Sequence, residues 1–178
     1  VLETFADTMA LRRGGAYGLR KAIESKNTCT AVYSSGLQLT GTFTSFETDE
    51  NGDPTYIRTT GPSALALNNK QINGHGKNHH ADGYSSPVGK LKDHAEPIEN
   101  MGIDDLNYFG IEEGKETVLK FDSGITVSGL VKSILANNGK TQLITFTNCT
   151  VKDKNGKILF DPSWGVYDMA VGEKIVSA

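Results

Sequence analysis

Apolar and polar residues alternate in short runs along this chain, and one such run occurs twice. Leu37 and Leu39 alternate with Gln38 and Thr40, as Ile125 and Val127 do with Thr126 and Ser128. A period of two predicts strands with one buried face. Each run follows a Ser-Gly pair (Ser35-Gly36, Ser123-Gly124) and then meets a second glycine, Gly41 or Gly129. The first glycine predicts a tight turn with positive φ. The second, inside a strand, predicts a bulge or sharp bend, the device by which small barrels turn their corners.

The recurrence extends well beyond these strings. Ser35–Gly41 aligns with Ser123–Gly129 at a shift of 88 (123 − 35), and Ile23-Glu24 with Ile111-Glu112 and Ser45 with Ser133 keep that shift. One residue of slip later, Asn51-Gly52 meets Asn138-Gly139 and Tyr56-Ile57 meets Leu143-Ile144. Val88-Gly89 pairs more loosely with Val171-Gly172. Landmarks in one order at nearly one spacing predict a tandem duplication. Each copy reads as a helical lead-in (14–27; 103–115), a strand, a Ser-Gly turn, a bent strand, an Asn-Gly hairpin and a third strand. In the second lead-in Asp104 or Asp105 is the expected N-cap, with Leu106 and Phe109 three apart on one face. The second copy adds a hairpin turning at Lys154-Asn155-Gly156.

The expected fold is therefore mainly β with a few short helices: tandem duplicated SH3-like small β-barrel modules packed together. Residues 1–14 form a helical linker or the tail of a preceding domain, 15–98 the first copy with a His/Gly-rich loop, and 99–178 the second. A module of roughly 75 residues buries a modest core, so the two are expected to share an interface.

Composition narrows the function classes. With 37% apolar and 22% charged residues the chain is that of an ordinary folded protein. A net charge of −3, with Lys and Arg spread out, argues against a nucleic-acid surface. No apolar run approaches the roughly 18 residues that span a bilayer, so no membrane contact is expected. Two cysteines, Cys29 and Cys149, are too few for a disulfide scaffold and suit a reducing, cytoplasmic compartment as small core residues. The opening "VLETFADTMALRRGG" reads as amphipathic helix rather than signal peptide, and Val at position 1 hints at a longer parent chain.

Each candidate for chemistry has a structural alternative. His75, His79, His80 and Asp82 offer imidazole and carboxylate ligands for zinc or iron, but no fixed helix or strand spacing holds them, and a solvated glycine-rich loop explains them as well. His94 lies in the same region. "NNGKT" at 137–141 lacks the first glycine of a phosphate-binding loop, since residue 134 is Ile, and precedes a strand rather than a helix. Gly74, Gly76 and Gly83 do not match the dinucleotide fingerprint. Asp104-Asp105 and Glu112-Glu113 sit beside helix ends, where capping accounts for them. "FDPSWGVYD" carries the single tryptophan; Trp164 and Tyr167, with Tyr84 from the His-rich loop, could contact a ligand or partner, or could seal a barrel or the seam between modules.

The strings "ADTMALRRGGAYGLRKAIESKNTCTAVYSSGLQLTGTF", "TTGPSALALNNKQINGHG", "DGYSSPVGKLKD" and "LFDPSWGVYDMAVGE" carry a resemblance along nearly the whole chain. The sequence resembles the C-terminal extension of the long bacterial pterin-dependent aromatic amino acid hydroxylases, the phenylalanine 4-monooxygenase-like enzymes. In that family an upstream domain binds non-haem iron through two histidines of an HExxH-like helix and a glutamate, and hydroxylates an aromatic ring with tetrahydropterin and dioxygen. Those iron-binding elements have no counterpart here, so no catalytic or cofactor-binding residue is carried over. The resemblance implies a non-catalytic module for assembly, stability or regulation. Fe(II) and tetrahydropterin are expected only in the catalytic domain of the same polypeptide, which is the expected partner, with a homo-oligomer as a further possibility. The rival expectation is a small-molecule (amino acid) or peptide binding module using the His75–Tyr84 loop or the Trp164 cluster.

Overall fold

The structure, a computed structural model, describes residues 16–50, 52–68, 70–72, 84–89, 100–137, 139–172 and 175–177. Over these described residues it is mainly β, with two short helices and two antiparallel sheets, one of them a curled half-barrel. Helix α1 (Ala16–Ser25) precedes β1 (Thr28–Tyr33), β2 (Leu37–Thr48), β3 (Pro54–Leu67), β4 (Lys70–Gln71) and β5 (Ser85–Pro87). Helix α2 (Ile103–Tyr108) precedes β6 (Glu116–Lys120), β7 (Thr126–Asn137), β8 (Lys140–Lys152), β9 (Ile158–Phe160), a 3-10 turn (Pro162–Trp164), β10 (Tyr167–Ala170) and β11 (Ile175–Ser177). The first sheet runs β11-β1-β2-β3-β4 with β5 also on β3; the second runs β10-β8-β7-β6 with β9 also on β8. The last strand thus completes the first sheet.

The two halves repeat one geometry. Cys29 faces Gly41 across β1–β2, and Thr117 faces Gly129 across β6–β7, both partners displaced by 88 (117 − 29; 129 − 41). Gly36 and Gly124 sit at φ +94 and +92, and each donates its N–H to a carbonyl three residues back, Tyr33 or Phe121, at 2.9 Å. The register of β2 on β3 shifts at Thr40/Thr42, Phe43/Ser45 and Glu47/Thr48; that of β7 on β8 shifts at Ser128/Leu130, Val131/Ser133 and Leu135/Ala136. All three irregularities recur at the same offset. At the first of them a Cβ on Gly129 would stand 3.0 Å from the Thr147 carbonyl oxygen and 3.1 Å from Cys149 Cα, so the bend needs glycine for close approach. The equivalence reaches the residue just before β5 and the first of β10, where Tyr84 matches Tyr167 (167 − 84 = 83) opposite Thr59 and Phe146.

Inward positions of the alternating strands build two cores. Leu37, Leu39, Phe43, Ile57 and Leu65 belong to the first; Ile125, Val127, Val131, Ile144 and Val151 to the second. Tyr56 of β3 packs in the second core, while Leu143 of β8 and Ala170 of β10 pack in the first. Hydrogen bonds also cross the seam: Gly89 N–H donates to the Gly172 carbonyl at 3.0 Å, and Ala170 N–H to Tyr84 Oη at 3.0 Å.

The second helix departs from its sequence reading. Its N-cap is Gly102, without a side-chain bond, and Asp104 and Asp105 fall inside the first turn, where carboxylates favour the helix dipole. Leu106 is buried, but Phe109 is the C-cap residue and half exposed, because the helix ends before a second apolar turn forms.

Candidate functional site

His75, His79, His80, Asp82 and His94 lie outside the described residues. Among the described residues no group of three or more His, Cys, Asp or Glu side chains is placed to hold a metal ion.

Tyr84 and Tyr167 are fully buried at the seam. Tyr56 Oη donates to Ser85 Oγ at 2.8 Å and lies 3.5 Å from Tyr167 Oη. Burial pushes the phenols of Tyr33, Tyr56, Tyr84 and Tyr167 above their ordinary value, so all four stay neutral near pH 7 and none serves as a general base. Beside them the buried Asp168 accepts from Thr145 Oγ1 at 2.9 Å. Bonds of Tyr56, Tyr84 and Ser86 across the seam help fix how the halves meet, whereas the buried Tyr33 Oη has no hydrogen-bond partner among the described residues.

Trp164 is the one member of its cluster at the surface. Asp161 caps the 3-10 turn that carries it, accepting from Ser163 N–H at 2.9 Å and Ser163 Oγ at 2.7 Å, bonds that lower the Asp161 pKa. Trp164 stands edge-on to Phe160 at 5.4 Å, and Phe160 packs on Tyr167 at 4.7 Å. The tryptophan is thus rooted in the second core, with 36% of its surface exposed.

Cys149 is buried and its thiol is pushed up to about 12 by desolvation, so it is no nucleophile at neutral pH. Cys29 is partly exposed, with its Sγ 3.8 Å from Ser25 Oγ. Glu112 pairs with Lys115 at 2.7 Å, and Glu113 accepts from Ile134 N–H at 3.2 Å, so both carboxylates serve local structure. Of "NNGKT", Asn137 pairs with Lys140 at the end of the β7–β8 hairpin, with Gly139 at φ +75.

Two surface features were not visible as motifs. The first is a shallow groove of about 640 Å³ at the β6 end of the second sheet, lined by Phe109, Gly110, Thr117, Val118 and Asn148 among others. Tyr108 (85%), Phe109 (50%) and Val118 (57%) are exposed on and beside it, with Tyr108 edge-on to Phe109 at 5.3 Å. Exposed aromatics beside a strand edge form a surface suited to docking. The outward phase of Val118 in β6 was the available sequence signal. The second is an acidic cleft where hairpin turns of the two halves meet.

No helix among the described residues is long and apolar enough to cross a membrane. No protein-family model matches this sequence, and no curated protein does.

Proposed function

We propose that this chain is a non-catalytic β-module of an iron- and tetrahydropterin-dependent aromatic amino acid hydroxylase, acting in the cytoplasm in the assembly, stability or regulation of that enzyme. Its halves are copies of one SH3-like module, fused and packed through a shared seam. The sequence strings that resemble the hydroxylase extension support the family assignment.

The observation that carries a docking role is the groove at the β6 edge. Tyr108, Phe109 and Val118 expose apolar surface beside a strand that has one sheet neighbour among the described residues. The groove's occupant on this reading is the catalytic domain of the same polypeptide. Meanwhile the phenols of Tyr33, Tyr56, Tyr84 and Tyr167 and the Cys149 thiol are buried in their protonated forms, which suits a scaffold better than a reaction centre. Sequencing the reading frame upstream of Val1 tests the assignment: an HExxH-bearing hydroxylase domain is expected, and its absence would remove the proposal's basis. Alanine at Tyr108 and Phe109 is then expected to loosen the module from that domain in limited proteolysis.

Trp164 favours a second reading, a site for an amino acid or a short peptide, because its indole is held edge-on over Phe160 and still reaches solvent. Calorimetry with phenylalanine, tyrosine, tryptophan and pterins separates the two; silence at millimolar ligand removes this one.

A further inference from the structure

Two crevices lie where turns of one half meet strands of the other, and the offsets that relate the halves also relate the crevices. In the first, buried Gln142 reaches across the seam, its Nε2 donating to the Ser35 carbonyl at 3.4 Å. In the second, Thr55 takes the place of Gln142 (142 − 55 = 87) and Ser123 that of Ser35 (123 − 35 = 88). Local bonds bear out the equivalence. Val88 N–H donates to the Thr55 carbonyl and Val171 N–H to the Gln142 carbonyl, both at 2.9 Å. The hydroxyls of Ser35 and Ser123 each accept the N–H two residues on, at 3.5 and 3.4 Å. Threonine is too short to span the gap, and the second crevice is an open cleft of about 560 Å³.

The substitutions around it run in one chemical direction. Glu47 stands where the other half has Leu135, Asp122 where it has Ser34, and Asp153 where it has Leu67. Leu135 packs against the first core, whereas the open cleft is ringed by Glu47, Asp49, Glu50, Asp122 and Asp153. Among the described residues Lys154 is the one cation in its lining, and Arg58 pairs with Glu47 at 3.2 Å. A concave surface lined by one sign of charge focuses its field on an incoming ion of the other.

An observation independent of charge points the same way. Thr55 lines the cleft and is more than nine-tenths buried (8% exposed), and its hydroxyl makes no hydrogen bond among the described residues. Neither does the Ser123 carbonyl, whose counterpart at Ser35 receives an N–H donor. We propose that this cleft binds an alkylammonium or guanidinium group. The ligand's N–H donors take the role at Ser123 and Thr55 that the Gln142 amide plays at Ser35, and the carboxylate ring supplies the charge preference. The cation is a free polyamine or a Lys or Arg side chain of a protein segment. This site does not depend on the hydroxylase reading.

Titrating the whole chain at low salt with spermidine, and separately with a capped peptide carrying one Lys and one Arg, tests the site by amide NMR shifts. Saturable shifts are expected at Thr55, Asp122, Ser123 and Lys154. Saturation by spermidine alone assigns a free polyamine; saturation by the peptide, alone or more tightly, assigns a protein segment. Thr55→Gln, which installs the plug of the other crevice, is expected to abolish binding. Glu50→Gln with Asp122→Asn, both exposed, is expected to weaken it by about two- to tenfold. Shifts that do not saturate, or an affinity unchanged in these variants, would overturn the proposal and leave only counter-ions gathered on an acidic surface. Should Thr55→Gln fail to fold, the double variant decides alone.

Discussion

Tyr56 and Leu143 occupy equivalent positions, one in each half, and each is packed in the core of the other half. The exchange makes each core depend on a strand from the other half. Leu143→Ala is expected to cost about 2–5 kcal/mol, as for other buried leucines, and to do so in one cooperative transition. Leu39→Ala, in the first core, should displace the unfolding curve read from Trp164, which sits on the second. Denaturant melts followed by Trp164 fluorescence and by circular dichroism should coincide; separate transitions would contradict a shared seam.

Gly41 and Gly129 mark the same bend with different tolerance. A Cβ on Gly129 meets backbone at 3.0 and 3.1 Å, whereas on Gly41 its closest neighbour is Ser63 Oγ at 3.1 Å, the end of a short side chain. Gly129→Ala is expected to lose about 1–3 kcal/mol by overpacking. Gly41→Ala should lie within about 1 kcal/mol of the parent, since the restricted unfolded chain offsets part of the strain. Paired denaturation curves measure the difference.

Stability should fall in alkali. The phenol pKa values of Tyr33, Tyr56, Tyr84 and Tyr167 are raised in the folded state, chiefly by burial. Their contribution is complete below the unfolded value of about 10. As pH climbs above it the unfolded chain gives up protons that the fold retains, and stability drops. Ultraviolet titration should find that these four of the six tyrosines ionise only as the structure is lost.

The cysteines should separate in a thiol-reactivity assay at neutral pH. Cys29 is partly exposed and is expected to be modified in the native protein; Cys149, buried with its thiol raised to about 12, should react only on unfolding. Equal rates at both would contradict the packing of β8 over Gly129.

Local chemistry made much of the fold legible. The Ser-Gly pairs, the alternation of Leu37 to Thr40 and of Ile125 to Ser128, and the interior Gly41 and Gly129 lie where turns, inward faces and bulges occur, because each is dictated within a few residues. The exchange of Tyr56 and Leu143 was not legible, since alternation marks both as inward without saying toward which core. Gly102 displaced Asp104 and Asp105 as N-cap because a main-chain cap leaves no side-chain signal. The acidic cleft stayed hidden for a third reason. Its residues come from turns near 50, 122 and 154, which only the packing of the halves brings together.

On the role proposed above, this chain serves a pterin-dependent hydroxylase without performing its chemistry. The most direct measurement is phenylalanine hydroxylation with added Fe(II) and tetrahydropterin, run on the full natural polypeptide and on the 178-residue chain alone. Tyrosine is expected from the full polypeptide and none from the chain alone. Turnover by the chain alone, or none by the full polypeptide, would contradict that role.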